Sequence, residues 1–440
     1  MLRPSRDEEG INSSVNIVVV QLKEEASNEQ PLEQIITETV HAKKKISSST
    51  AVAVPAKILF LDGIRGVAAM LVVMQHSNYL NDINVGATAV DSFFVLSSFL
   101  LTMLFLKKCV KMVVQSASYR KWVFAMVDYF MKRFFRVYPF FALVALLLWW
   151  MPFEDKRRFY WIESADKYDL NKVLTFDYDH RYLMLWTLPL EITYYFYIPV
   201  LVLVVLVLRQ FWWIAVLALQ VWIVNDGLYT YRTHHLLLRP HISTFLQGSV
   251  AAVVFVKFDT WRRATGFEFS KWRVAAIRVV EYSMLVILIS ECSRAVLFTW
   301  IHKTFLPAPS GDPFISAWLA YIIVIEMVLP SSISTTLEWN VLRYWGKVSF
   351  SLYLLHPFVI YSERIQNLTN FYDKFFAKVA LLLLTTSASY NLVEYPLQQI
   401  VSRFSLKLTQ LDARGISSGT LFNKKVANER NSSESVAKNA

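Results

Sequence analysis

Arg65 and His76 lie eleven residues apart in the apolar stretch ILFLDGIRGVAAMLVVMQHS. Eleven residues make three turns of helix, so both side chains fall on one face, about 16 Å apart along the axis. A fixed guanidinium and an imidazole on one stripe suit a phosphate-bearing donor. Its anionic end would rest at Arg65 and its reactive end near His76, where an imidazole can move a proton near neutral pH. Asp62, three residues before Arg65, can pair with it and also sits at the helix start, where the dipole favours an anion. Plainer roles fit the same spacings: a charge clamp for Asp62 and Arg65, and an interfacial histidine bonded to loop backbone. In MKRFFRVYP, Arg133 and Arg136 share a helical face. Paired guanidiniums suit phosphate oxygens, though the charges alone favour anchoring against lipid headgroups. Pro139 is expected in the first turn of the helix that follows them.

Further polar groups stand in apolar surroundings, where a charge costs at least about 2.5 kcal/mol and asks for a partner or a task. Glu191, in WTLPLEITYYFYIPVL, is expected near the depth of His76. There it could orient His76 as a base or take a proton itself; a carboxyl kept neutral by burial is the alternative. Ser349, Tyr353 and His356 follow at i, i+4 and i+7, which is one stripe and suits either a polar lining or hydrogen bonds between helices. Glu394, just before Tyr395 and Pro396, is placed to neutralise an arginine on the inner face. Asp91 is a similar singleton, and Asp226, Glu281, Glu291 and Glu326 have no assigned role.

These residues need apolar elements to hold them. The chain has 440 residues, 55% hydrophobic and only 18% charged. Soluble chains carry about 25% charged residues, so an ordinary soluble enzyme is disfavoured. The expected fold is an all-α integral membrane bundle of about ten transmembrane helices, near 58–77, 87–106, 137–151, 183–208, 211–229, 241–256, 279–296, 314–330, 347–362 and 375–395. Residues 119–136 read as an amphipathic helix on the inner surface. Residues 1–57 and 403–440 read as disordered cytosolic tails, leaving 58–402 as the membrane domain. No signal peptide is expected.

The loops that would face inward hold 17 basic and 4 acidic residues, and those that would face outward 12 and 11. The asymmetry argues for both termini inside. The net charge of +11 then reports orientation, and no nucleic-acid partner is expected. Two cysteines, Cys109 and Cys292, and the absence of HExxH, Walker and GxSxG motifs leave no expected metal, resident cofactor or hydrolase nucleophile. Asn367-Leu368-Thr369 is a glycosylation sequon in an expected outer loop.

The chain resembles the multipass membrane acyltransferases of family three. The resemblance rests on LDGIRGVAAMLVVMQHS, VDSFFVLSSFLLT, RFFRVYP, WTLPLE (Trp186 to Glu191), WGKVSFSLYLLHP and VEYP, in that order from Leu61 to Pro396. It implies O-acylation: transfer of an acyl group, usually acetyl, from cytosolic acyl-CoA as co-substrate to a hydroxyl of a carbohydrate, lipid or small-molecule acceptor. It implies His76, with Glu191 assisting, as the catalytic pair and Arg65, Arg133 and Arg136 as acyl-CoA-binding. Asp62, Asp91, Trp186, Ser349, Tyr353, His356 and Glu394 would support them or face the acceptor. Two departures stand out: Ile192 where many relatives carry a second acid, and Ser98 where many carry glycine. A transporter without acyl-transfer chemistry is the competing class, since intramembrane histidines and acids also suit proton coupling.

Overall fold

The computed structural model describes residues 58–79, 83, 85–230, 234–305, 314–407 and 410. The expected N-terminal tail lies outside the described residues, as does the C-terminal one beyond its first few. Every element among the described residues is helical. The ten longest helices are α1 (Leu59–His76), α2 (Val85–Val114), α3 (Tyr119–Trp150), α4 (Thr187–Val207), α5 (Trp212–Tyr229), α6 (Ile242–Thr265), α7 (Lys271–Cys292), α8 (Ile315–Val328), α9 (Ser349–Ile360) and α10 (Phe371–Ser389).

Seven of these, α1 to α6 and α10 with its continuation to Lys407, are long and apolar enough to cross a membrane. An eighth span arises if α7 and the helix Val296–Thr304, bent 68° apart, act as one. The expected eighth and ninth spans are shorter. α8 has 14 residues and α9 has 12, about 21 and 18 Å of helix against a hydrocarbon core of about 30 Å. The ninth begins at Ser349, and the chain before it forms two separate helices, Ser332–Leu337 and Asn340–Lys347. Irregular backbone at membrane depth is tolerated when protein covers it, and α1 supplies cover here. A Cβ on Gly63 would meet the Leu337 carbonyl oxygen at 1.8 Å, and one on Gly66 the Leu342 oxygen at 2.0 Å. Backbone therefore packs on backbone, as small residues permit in membranes, and Arg65 between these glycines is held in place.

Three boundaries differ from expectation. Residues 119–136 are not a separate surface helix: α3 runs unbroken for 32 residues with Pro139 in its interior. Membrane helices tolerate such a proline because neighbouring groups satisfy the freed backbone. The 152–182 segment is no plain loop. It carries the helices Phe153–Tyr160 and Leu170–Leu174, and buries Tyr160, Ile162 and Tyr168 in the core with α1, α3 and α9 residues. Tyr160 donates to the Leu354 carbonyl at 2.6 Å, and Tyr168 to that of Ala145 at 2.6 Å. Finally, α10 passes through a π-helical turn, Tyr390–Glu394, and stays helical to Lys407. The first residues of the expected C-terminal tail are thus ordered helix, and Ser405 donates to Asp128 at 2.7 Å.

Polar ties join the long helices. Thr102 on α2 donates to Ser249 on α6 at 2.8 Å, and Ser249 bonds Tyr194 on α4 at 2.7 Å. The acids without an assigned role turn out largely to be clamps. Arg278 pairs with Glu281 and stands 3.5 Å from Glu326 on α8, while Asp226 pairs with Arg239 at 2.8 Å.

Candidate active site

A cavity of about 180 Å³ lies between α1, α2, α3, α4 and α9. Its polar wall is Arg65, Arg133, Arg136, Glu191, Ser97, Thr187, Tyr195, Ser349 and Tyr353. Two helices, α1 and α3, thus bring three guanidiniums to one space. Arg65 is paired with Asp62 at 3.5 Å and feels both other arginines and Glu191. The Nε of Arg133 is buried without a hydrogen-bond partner. Arg136 is uncovered, so the cavity opens on its side. Arg133, Arg136 and Val137 line it at i, i+3 and i+4, the side-by-side spacing of one helix face. Glu191 accepts a hydrogen bond from Ser97 and faces the Tyr195 phenol.

His76 is not in the cavity wall. Its ring lies 5.0 Å from that of His356, and its Nδ1 is 2.9 Å from the Tyr361 hydroxyl. His356 is fully buried. Its Nδ1 is 3.1 Å from the Leu352 carbonyl, which only accepts, so Nδ1 carries the hydrogen. The other ring nitrogen, Nε2, is buried with no partner. Tyr353 joins the two regions: it lines the cavity, and its ring stands 6.2 Å from that of His356. Its hydroxyl is also buried and faces the Thr187 side chain.

Glu191 therefore stands with the arginines, and the structure gives it no contact with His76. The reason is depth: α4 presents Glu191 opposite Ser97, midway along α2, whereas His76 ends α1. The remaining candidates separate as follows. Ser349 and Tyr353 line the cavity, and the third member of their stripe, His356, reaches His76. Glu394 accepts from Ser351 and acts on Arg136. Asp91 lies 4.0 Å from His241, whose ring packs 5.3 Å from Trp186; both belong to a cluster beside the cavity rather than in its wall. Neither sequence departure touches the wall. Ile192 packs into the core, and Ser98 faces α6, where a Cβ on Gly248 would meet its Oγ at 2.1 Å.

Ser97, Thr187, Tyr195 and Tyr361 were not singled out from sequence. Ser97 was reachable, since Val90, Phe93, Phe94, Ser97, Leu101 and Leu104 all line the cavity at helical spacing. Tyr195 follows Glu191 by four residues, which is the same signal. Tyr361 lies beyond the end of α9, and nothing in its local sequence points to His76.

Comparison with known proteins bears on this site. A bacterial protein from Rhizobium radiobacter described as "Protein 2 in picA locus" is 34% identical over 96 residues, a stretch covering 21% of this chain and 45% of that protein. The chain thus spans less than half the length of this curated relative. A far longer match is to the acyltransferase domain of the acyltransferase 3 family, which aligns with residues 58–392 and so takes in every residue of the cavity wall and both histidines. The chain belongs to the acyltransferase 3 family.

Proposed function

We propose that the protein is an integral membrane O-acyltransferase that takes an acyl group, acetyl in the simplest case, from acyl-CoA. The observation that carries this reading is the convergence of Arg65, Arg133 and Arg136 on one cavity that holds a single carboxylate, Glu191. Three guanidiniums facing one wall carboxylate in a low-dielectric space suit the reception of an anion. Guanidiniums bind phosphate oxygens in bidentate geometry, and acyl-CoA is rich in phosphate.

The donor would lie with its phosphates at the arginines and its acyl end past Tyr353 toward His76. His76 would accept the proton of the acceptor hydroxyl on Nε2, with Nδ1–H donating to the Tyr361 oxygen. The acceptor oxygen then attacks the thioester carbon, the C–S bond breaks, and CoA leaves as a thiolate that takes up the proton. A base positioned in this way contributes about 10²–10⁴-fold. Phe93 and Tyr353, with ring centroids 6.4 Å apart, both line the cavity, and Tyr353 adjoins His356. They would have to admit the thioester.

The test is transfer of labelled acetyl from acetyl-CoA by the purified full chain, against His76→Ala. Retained turnover in the variant would remove His76 from the chemistry. Unchanged acyl-CoA affinity in both Arg133→Ala and Arg136→Ala would remove the phosphate role.

A further inference from the structure

We infer that Lys378, with the hydroxyls of Ser77 and Tyr79, forms a subsite for an oxyanion, a carboxylate or phosphate group that the acceptor itself carries. The inference rests on the acyltransferase reading and deepens it: the acceptor is an acid whose anionic group is held at the His76 end of α1.

Lys378 is only 2% exposed. The spacing along α10 explains where it points. Phe371, Phe375 and Lys378 follow at i, i+4 and i+7, which is one helix face, and all three meet Tyr79. The Phe371 and Phe375 rings lie 5.6 and 5.8 Å from the Tyr79 ring, and Lys378 Nζ lies 4.9 Å from its centre. One turn further along the same face, Leu382 packs with Ala69 and Val73 of α1. The stripe thus turns Lys378 toward the end of α1, where Ser77 and Tyr79 follow His76. Val379, the next residue, packs on the same core cluster as Tyr361, whose hydroxyl is the partner of His76 Nδ1.

A buried ammonium calls for a counter-charge and for acceptors. Among the described residues Lys378 has no carboxylate partner, and the charged group that acts on it is another lysine, Lys374. The Tyr79 ring gives it a cation–π contact but takes up none of its N–H donors in an ordinary hydrogen bond. The Tyr79 hydroxyl and the Ser77 Oγ are likewise buried with no hydrogen-bond partner. Buried polar groups are ordinarily bonded, so a group of such exceptions needs a cause. An ammonium only donates, and both hydroxyls are able to donate. A negatively charged, acceptor-only group answers all three, which describes a carboxylate or phosphate. A neutral hydroxyl would leave the ammonium uncompensated, and a hydrocarbon chain would leave all three unmet. The phosphates of acyl-CoA are not this anion, because Arg65 stands three helical turns, about 16 Å, from His76 along α1. Donor and acceptor would each be held by an anionic group, at opposite ends of one helix. An oxyanion held at Lys378 brings a hydroxyl of the same molecule to the imidazole.

The test uses the purified full chain, acetyl-CoA and two sets of acceptors that differ only in charge. One is glycerol, glycerate and glycerol 3-phosphate; the other is methyl glucoside, methyl glucuronide and methyl glucoside 6-phosphate. Hydrogen bonds to a charged group are the strong ones, so a charged member should have an acceptor KM about tenfold or more below that of its neutral parent. The carboxylate and phosphate arms tell which oxyanion the site takes. Lys378→Met keeps a long apolar stem and removes a buried charge, so it should melt no lower than the wild type. It should erase the advantage of the charged member with the KM for acetyl-CoA unmoved, and Lys378→Arg should keep part of it. Equal use of charged and neutral acceptors would overturn the subsite with the acyltransferase reading intact. A lowered melting temperature in Lys378→Met with the preference retained would overturn it too, and would mark Lys378 as a clamp on Tyr79. Thermal shift with methyl glucuronide and with inorganic phosphate, in the absence of acetyl-CoA, reads the subsite apart from turnover. Stabilisation lost in Lys378→Met and kept in Arg133→Ala would support the subsite even without acyl transfer, and the acyltransferase reading alone would then fail. Neither transfer nor stabilisation would overturn both.

Discussion

The arginine cavity and the His76–His356 pair share two helices, α1 and α9, yet have opposite electrostatic character. α1 supplies Arg65 to one and His76 to the other; α9 supplies Ser349 and Tyr353 to one and His356 to the other. The cavity gathers three guanidiniums and a hydrogen-bonded carboxylate and is open at Arg136. The histidine pair makes no ion pair among the described residues; it contacts a phenol, a carbonyl and aromatic rings. Binding a polyanion needs fixed positive charge, whereas moving a proton needs a group whose charge is free to change. A strong neighbouring charge would hold the imidazole in one state. Placing the two tasks at different depths of one helix lets each have its own field.

The sharpest way to break this division is to remove one half and watch the other. His76→Ala should lower kcat by about 10²–10⁴-fold and leave the KM for acyl-CoA within a factor of about two, read in a steady-state transfer assay. A comparable rise in KM would merge the two regions into one. Arg133→Ala and Arg136→Ala should do the reverse. Loss of a charge-assisted hydrogen bond costs about 1.5–3 kcal/mol, so KM for acyl-CoA should rise about 10–100-fold in each. The kcat at saturating donor should change little. Isothermal titration with CoA itself checks the same effect without turnover.

How far this division could be read from sequence follows from the kind of contact involved. Arg65 and His76 share a stripe because eleven residues close three turns, and Arg133 and Arg136 share a face for the same local reason. The family resemblance runs from Leu61 to Pro396, and the family match, over 58–392, overlaps nearly all of it. Misplaced features depend on tertiary packing. Glu191 sits with the arginines because α4 meets α2 at Ser97, a pairing that no spacing within α4 encodes. Pro139 reads as a helix start by propensity, but in a bundle its lost hydrogen bond is tolerable, so α3 continues through it. Glycines 63, 66 and 346 let the broken helices before α9 press against α1. The Tyr361 contact joins residues 285 apart in sequence.

That contact gives the next prediction. Tyr361→Phe keeps the ring and removes the hydroxyl beside His76 Nδ1. A net hydrogen bond of about 1 kcal/mol converts to a fall in kcat of about five- to tenfold, with KM for acyl-CoA unmoved. Circular dichroism should report an unchanged melting temperature within a few degrees. If KM rose while kcat held, Tyr361 would belong to substrate binding instead of to the base.

The smallest effect tests the arginine side from behind. Glu394 acts on Arg136 and is held by Ser351, outside the cavity wall. Glu394→Gln keeps a side-chain oxygen for Ser351 and removes one negative charge near the cavity. The cavity field then becomes more positive, so acyl-CoA should bind about two- to threefold more tightly, the opposite sign to the arginine variants. The gain should shrink as salt is raised from low ionic strength toward about 0.15 M, because screening weakens uncovered charges such as Arg136 first. kcat should not respond, since His76 and His356 lie outside this charge group. A weakened KM would mean that Glu394 orients Arg136 and that orientation outweighs charge; the cavity would then bind by geometry more than by field. An altered kcat would show that a charge change at the cavity reaches the histidines, and the separation of the two fields would fail.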